Sequence, residues 1–159
     1  MAQTDDRSTY EVTRSITIAA PPARVFESII DFHRWTEWSP WEGLDPNMQR
    51  TYTGPDAGVG ATYEWEGSRK VGKGRMEIVD AEAPSTVGIK LDFLKPFKSH
   101  NQTRFVLTAA DDDTTDVTWS MRGPKTFMTK VMGIFTSMDK LVGGDFEKGL
   151  THLKATAER

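Results

Sequence analysis

No cysteine occurs in the 159-residue chain, so disulfide bonds and metal sites built from thiolates are excluded. No apolar run approaches the roughly 18 residues that a membrane-spanning helix needs. Basic residues are not in excess, because 20 lysines and arginines face 23 aspartates and glutamates and leave a net charge of −3. That balance provides no electrostatic footprint for nucleic acid or for an anionic membrane. We therefore expect no nucleic-acid partner and no integral membrane segment.

The start of the chain is polar and acidic and lacks the apolar core of a secretory signal. It predicts a disordered tail over residues 1–9, followed by one domain at 10–157, an ordinary size for a single hydrophobic core. With no export signal and no cysteine, the cytoplasm is the predicted location. The sequence carries no indication of the oligomeric state.

Residues that commonly carry catalysis are also scarce. The histidines His33, His100 and His152 share no motif and stand at no metal-ligand spacing, so each is interpreted as solvated. A nucleophile motif of the G-x-S-x-G type is missing, and the acidic run at 111–113 is typical of an exposed hairpin turn. We predict no catalytic residue, no metal site and no cofactor.

The chain does contain a series of short segments in which apolar and polar residues alternate. Alternation with this period is typical of strands that bury one face. Short links that contain glycine, proline or aspartate separate most of these segments, which favours an antiparallel meander. The predicted strands lie at 11–17, 48–53, 61–66, 72–81, 86–93, 103–109 and 116–122.

Helical spacing occurs both after the first strand and at the end of the chain. Apolar residues three and four apart predict a helix over 23–31, and a second short helical turn follows it and ends before Pro40. The chain after Pro124 is predicted to be helical to about residue 157. These elements describe an α+β fold in which a curved sheet of about seven strands wraps round a long C-terminal helix.

Gly143 and Gly144 interrupt the pattern of this last helix. Each glycine weakens a helix by about 1 kcal/mol relative to alanine. Two interpretations stay open: the pair lets the helix flex so that a ligand can pass, or it permits close packing against Trp35 or Trp38.

The inward rows of the strands and of the last helix are rich in aromatic residues and methionine. Wide rings and flexible thioethers interlock less tightly than branched aliphatic residues, which leaves room for a ligand between sheet and helix. Buried Tyr O–H and Trp N–H groups also need partners, and we expect a ligand or water to supply them. The candidate ligand-binding residues are Trp38, Tyr52, Tyr63, Trp65, Met76, Phe93, Phe105, Trp119, Met121, Met138 and Val142.

Two smaller features concern the edge of this interior. Trp35, Trp38 and Trp41 recur every third residue, and they either fill the gap between the short helices and the sheet or line the mouth of a cavity. Arg50 has the same inward parity as Tyr52, and we expect its guanidinium to extend to the rim.

Several segments resemble the START/SRPBCC superfamily. The stretch IAAPPARVF at 18–26 is similar to the one that opens the first helix in that superfamily, and WTEWSPW at 35–41 resembles its W-x-x-W-x-P segment. The bacterial polyketide cyclase/dehydrase-like branch is resembled by VGATYEWEG at 59–67, GKGRMEI at 72–78 and GDFEKGL at 144–150.

This resemblance covers about residues 10–157 and implies the helix-grip fold. Members of the superfamily bind sterols, lipids, polyketides or plant hormones, a minority are enzymes, and no catalytic set is common to them. The resemblance therefore implies binding, sequestration or transport of a small hydrophobic molecule in an internal cavity. The alternative is a polyketide cyclase or hydrolase that acts on an aromatic or hydrophobic substrate in the same cavity. A protein-binding surface is a third hypothesis.

Overall fold

The computed structural model describes residues 9–68, 71–95, 98–124 and 138–159, apart from the side chains of 138–141. Residues 1–8 of the predicted tail lie outside this part. Each predicted strand is present, although β6 begins at Ser99 rather than at residue 103. The strands are β1 (Thr9–Ile18), β2 (Gln49–Thr53), β3 (Thr62–Glu66), β4 (Lys73–Glu82), β5 (Thr86–Lys95), β6 (Ser99–Asp111) and β7 (Thr114–Pro124).

The strands form one seven-stranded antiparallel sheet in the order β1-β7-β6-β5-β4-β3-β2. Strands β2 to β7 follow one another as a meander, and β1 pairs with β7 from Thr9 opposite Pro124 to Ile18 opposite Thr115. Because alternate residues point to opposite faces, the sheet buries one face and exposes the other. The inward rows predicted from the sequence lie on the buried, concave face.

Two short helices separate β1 from β2. Helix α1 spans Pro22–Ile30, and its proline at the first turn is well suited to that position. A 3₁₀ helix spans Phe32–Glu37 and begins where the Asp31 carboxylate accepts a hydrogen bond from the backbone N–H of His33. The last helix, α2, spans Met138–Ala157. The helix predicted immediately after Pro124 falls on residues 125–137, outside the described part.

Helix α2 lies along β1 and also contacts α1 and the 3₁₀ helix. Its side chains Phe146, Leu150 and Leu153 are fully buried. The Phe146 ring stacks on Trp119 of β7 with centroids 3.9 Å apart and planes 6° apart. A curved sheet closed over a long C-terminal helix is the helix-grip fold, as predicted.

The paired glycines of α2 have different surroundings. A Cβ atom at Gly143 would lie 2.2 Å from Nη2 of Arg14, whereas one at Gly144 would meet nothing within 4 Å. Nε of Arg14 also donates to Glu147 Oε2 at 2.9 Å, so Arg14 links β1 to α2. The close contact at Gly143 is therefore with Arg14 rather than with Trp35 or Trp38, the partners named under the packing interpretation.

Candidate ligand-binding site

One row of residues crosses all seven strands on the concave face, and we call it the floor row. Its order follows from the register of the strand pairs and from the close approach of Gly123 to Asn101. A second row, the rim row, lies one step nearer to the end of the sheet where β3 and β5 finish. The floor row is Tyr10, Gly123, Asn101, Leu91, Met76, Tyr63 and Tyr52; the rim row is Ser99, Phe93, Gly74, Trp65 and Arg50.

The opposite part of the concave face is filled by packed aromatic rings. Trp119 lies between Phe146 and Phe105, which stacks on it with centroids 4.8 Å apart. Trp38 meets the ring of Trp119 edge-on at 5.6 Å. The predicted site residues Trp38, Phe105, Trp119 and Met121 all lie in this packed part and are at most 3% exposed. Trp35 packs on Phe105 and Trp38 packs on Trp119, so both fill the gap between the short helices and the sheet.

The indole N–H groups have protein partners, contrary to our expectation that a ligand or water would supply them. Trp119 Nε1 donates to Thr103 Oγ1 at 2.8 Å, and Trp38 Nε1 donates to the Ser28 carbonyl at 2.9 Å. Trp65 Nε1 donates to the Val71 carbonyl at 2.8 Å. Backbone carbonyls provide most of these acceptors, and an alternation pattern gives no information about them.

Other predicted site residues line the floor and rim rows. Tyr63 and Met76 are buried at 5% and 8% exposure, while Tyr52, Trp65 and Phe93 are half-buried. Their rings form a continuous series, with centroids 5.2 Å apart for Tyr52 and Tyr63, and 6.0 Å apart for Tyr63 and Trp65 and for Trp65 and Phe93. This end of the concave face is a broad aromatic surface whose outer members reach solvent.

Gly74 leaves space for the indole of Trp65 at the centre of the aromatic surface. A Cβ atom at Gly74 would lie 2.3 Å from Cζ2 of Trp65, so the indole lies directly across the bare backbone of β4. Any side chain at residue 74 would displace this ring. From α2, Val142 is half-buried and packs against the core, whereas the side chain of Met138 lies outside the described part.

A carboxylate that sequence reasoning missed joins this surface at its β2 end. Glu42 forms a close ion pair with Arg50 Nη2, and the Tyr63 hydroxyl donates to Glu42 Oε1 at 3.4 Å. Only 14% of the Glu42 side chain is exposed. The Arg50 guanidinium stands at the rim, where Glu42 is its partner. We call Glu42, Arg50 and Tyr63 the Glu42 cluster.

The loop that carries Glu42 is fixed on both sides. Before it, Trp41 Nε1 donates to Asp145 Oδ2 of α2 at 3.2 Å. After it, Asp45 Oδ2 accepts the backbone N–H of Ser68 at 2.7 Å. A loop has no periodic pattern, so the sequence held no signal for the position of Glu42 beyond its place directly after Trp41.

The Glu42 cluster shifts the pKa values of its own members and of Tyr52. Burial, reinforced by the Glu42 carboxylate, raises the pKa of the Tyr63 phenol. The same two causes raise the pKa of Tyr52, and the hydrogen bond to Glu42 raises the pKa of Arg50. Both phenols remain protonated at neutral pH. Tyr63 gives its one proton to Glu42, so Tyr52 is the phenol that can donate a hydrogen bond to an oxygen placed at this end of the floor row.

A hollow of about 80 Å³ opens beside the Tyr52 end of the floor row. His33 stacks on Tyr52 there with centroids 4.1 Å apart, and its Nδ1 lies 2.8 Å from Asp31 Oδ1. His33 is thus held by two neighbours, although 46% of its side chain is exposed. The volume suits a small group rather than a whole drug-sized molecule, which needs roughly 300 Å³ or more. The lining residues are Phe32, His33, Tyr52, Thr53, Gly54, Pro55, Asp56, Ala61 and Thr62.

Within the described ranges, no group of three or more histidine, aspartate or glutamate side chains is placed to hold a metal ion. None of the helices described is long and apolar enough to cross a membrane.

The sheet, the closing helix and the aromatic concave face define the class of helix-grip proteins. The family model "Polyketide cyclase / dehydrase and lipid transport" matches residues 9–158, and the chain belongs to that family. No curated protein matches the chain.

Solved structures share the fold at low sequence identity. Mll3558 from Rhizobium loti has a TM-score of 0.68 and 17% identity, with 92% of this chain and 96% of that chain covered. The di-domain ARO/CYC protein BexL from the BE-7585A biosynthetic pathway has a TM-score of 0.67 and 16% identity, covering 98% of this chain and 52% of that one. Ara h 8.0201 has a TM-score of 0.62 and 15% identity, covering 94% and 97%. Each of these similarities shows the fold alone.

Proposed function

We propose that this protein binds, sequesters or carries a small hydrophobic molecule, lipid- or polyketide-like, across the floor and rim rows. The observation that carries the proposal is the aromatic surface formed by Tyr52, Tyr63, Trp65 and Phe93, whose outer rings are half-buried beside a polar cluster. Covering apolar surface contributes roughly 25 cal/mol per Å² before ordering costs. Family membership supports the same function.

The proposed site is smaller than the residue set predicted from sequence. It keeps Tyr52, Tyr63, Trp65, Met76 and Phe93, with Val142 and Met138 of α2 retained as candidates. The packed aromatic residues fill the other part of the concave face and, in this proposal, do not contact the ligand. The cytoplasm remains the predicted location.

Native mass spectrometry of protein purified from its own host tests this proposal. We expect a co-purified small molecule with the unmodified protein and with Val79→Ala, a control at an exposed apolar residue of β4. Trp65→Ala should lose most of that molecule while remaining folded. An unmodified protein that carries nothing, or a molecule retained in full by Trp65→Ala, would contradict the proposal.

The Glu42 cluster favours a second candidate function, a cyclase or dehydratase. Glu42 is a carboxylate that can act as a base, and the Tyr63 hydroxyl now bonded to it can turn its proton to the oxygen of a bound carbonyl. A base and a donor placed together can remove a proton next to a carbonyl while the donor stabilises the oxygen that becomes negative. That step begins an aldol-type ring closure.

Exchange of the C–H protons beside the carbonyl of 2-tetralone in D₂O, followed by NMR, tests this second function. We expect exchange above the buffer rate with the unmodified protein and with Glu64→Gln, a control glutamate of β3 on the opposite face. Glu42→Gln should return exchange to the buffer rate. If the unmodified protein does not exceed that rate, the enzymatic alternative fails and the binding function stands.

A further inference from the structure

A second polar group stands at the other end of the two rows and is made of Tyr10 and Asn101 of the floor row and Ser99 of the rim row. Their exposures are 6%, 2% and 5%. The Tyr10 hydroxyl donates to Asn101 Oδ1 at 2.6 Å, and Asn101 Nδ2 donates to Ser99 Oγ at 3.0 Å. Gly123 makes room for them, because a Cβ atom there would lie 1.9 Å from Asn101 Oδ1.

These hydrogen bonds leave part of the group's capacity unused. Ser99 Oγ accepts from Asn101, so its own proton points elsewhere, and none of the described residues receives it. The Tyr10 oxygen donates its proton and keeps its lone pairs. The group can therefore donate one hydrogen bond and accept another. Buried polar groups with unused hydrogen-bonding capacity are unusual at positions that an apolar side chain could also fill.

The two polar groups stand at opposite ends of the rows with an apolar stretch between them. Leu91 of β5 and Met76 of β4 separate Asn101 from Tyr63. Three strand spacings from β6 to β3 amount to about 14 Å. The site thus has a polar group at each end and an apolar middle.

We propose that the ligand is an elongated, mostly apolar molecule with a hydroxyl or carbonyl oxygen at each end. One oxygen binds Tyr10 and Ser99, and the other binds Tyr63 beside Glu42. This inference rests on the proposed binding function and adds the chemistry of the ligand. The competing explanation is that Tyr10, Asn101 and Ser99 only hold β1 in place relative to β6.

Three probes of matched shape distinguish these explanations: trans-stilbene, 4-hydroxystilbene and 4,4′-dihydroxystilbene. Their affinities are measured by calorimetry for the unmodified protein, Tyr10→Phe, Ser99→Ala and Tyr63→Phe. Ser15→Ala is the control, since its hydroxyl bonds to Thr118 on the other face of the sheet. Ser99→Ala is included because it leaves the hydrogen bond between Tyr10 and Asn101 intact if Tyr10→Phe fails to fold.

The dihydroxylated probe should bind most tightly, and each of the three variants should weaken it about five- to tenfold, the effect of one hydrogen bond. The same variants should leave trans-stilbene unchanged, and Ser15→Ala should leave all three probes unchanged. Equal affinity of the two hydroxylated probes, or a loss in Ser99→Ala that is the same for all three probes, would overturn the inference but not the binding function. Failure of every probe to bind would overturn both.

Discussion

At the scale of single residues, the tryptophans divide into those that stabilise the fold and one that faces the proposed site. Trp119 is stacked between Phe105 and Phe146 and is 1% exposed. Trp65 is half-buried and lies across Gly74 at the rim. Removing the Trp119 ring should therefore mainly affect stability, and removing the Trp65 ring should mainly affect binding.

We predict that Trp119→Ala lowers the free energy of unfolding by about 3–5 kcal/mol, as expected for a buried aromatic residue. Trp65→Ala should cost clearly less stability and yet remove most of the binding of a hydrophobic probe. Urea unfolding gives the first quantity and titration with 4,4′-dihydroxystilbene gives the second. Equal destabilisation by the two substitutions, together with equal loss of binding, would show that the division between packed and ligand-facing rings is wrong.

Two buried phenols predict how stability depends on pH. Burial raises the pKa of both Tyr10 and Tyr63 above the ordinary value of about 10. The unfolded chain therefore loses these protons first, so their contribution is complete below about pH 10 and is lost as pH rises further. The loss approaches about 1.4 kcal/mol per pH unit for each tyrosine.

Urea unfolding on both sides of about pH 10 measures this effect. Tyr63→Phe should show a shallower decline in stability than the unmodified protein, and Tyr10→Phe should do the same. Because Tyr52 is half-buried at the edge strand, Tyr52→Phe should change the slope least. Identical slopes in all four proteins would mean that the phenols are solvated in the folded state.

At the scale of the elements, the two glycines of α2 have separable roles. Gly144 has open space, so Gly144→Ala should raise the free energy of unfolding by about 0.5–1 kcal/mol. Gly143→Ala gains the same helix propensity but must displace the Arg14 guanidinium from its bond to Glu147. We predict that it is less stable than Gly144→Ala.

An Arg14→Ala background isolates that contact. With the guanidinium removed, Gly143→Ala should stabilise α2 about as much as Gly144→Ala does. Chemical denaturation of the four combinations gives the coupling energy directly. A Gly143→Ala protein that equals Gly144→Ala while Arg14 is present would contradict the packing role.

The strands were predictable wherever their inward residues are apolar. Alternation reveals a strand through the contrast between its two faces, and at β5 this contrast is clear. The start of β6 gives no such signal, because its inward residues there are Ser99 and Asn101. Because these residues are polar, the start of the strand was not predicted, and together with Tyr10 they form the second polar group.

The proposed site was predictable only in part. Parity placed Tyr63, Trp65 and Met76 on the concave face, since a strand fixes the direction of each side chain. Parity could not show that other inward rings, such as Trp119, are packed by α2, because that depends on where the helix crosses the sheet. Glu42 lies in a loop whose position is set by contacts distant in sequence.

At the scale of the whole molecule, the described side chains of α2 pack over one part of the concave face. Its buried residues pack over β1 and the Trp119 rings, while the floor and rim rows lie toward the end of the sheet where β3 and β5 finish. The fold thus combines a packed part with an aromatic surface, and polar groups stand at both ends of the floor row. Binding at that surface is the central claim.

NMR of protein labelled at the methionine methyl groups tests this claim most directly. Met76 lies in the middle of the floor row and Met48 lies outside it, before β2. During titration with 4,4′-dihydroxystilbene, the Met76 methyl signal should shift and saturate, and the Met48 signal should remain in place. A Met76 signal that does not move while the probe binds, or a probe that does not bind at all, would contradict the account.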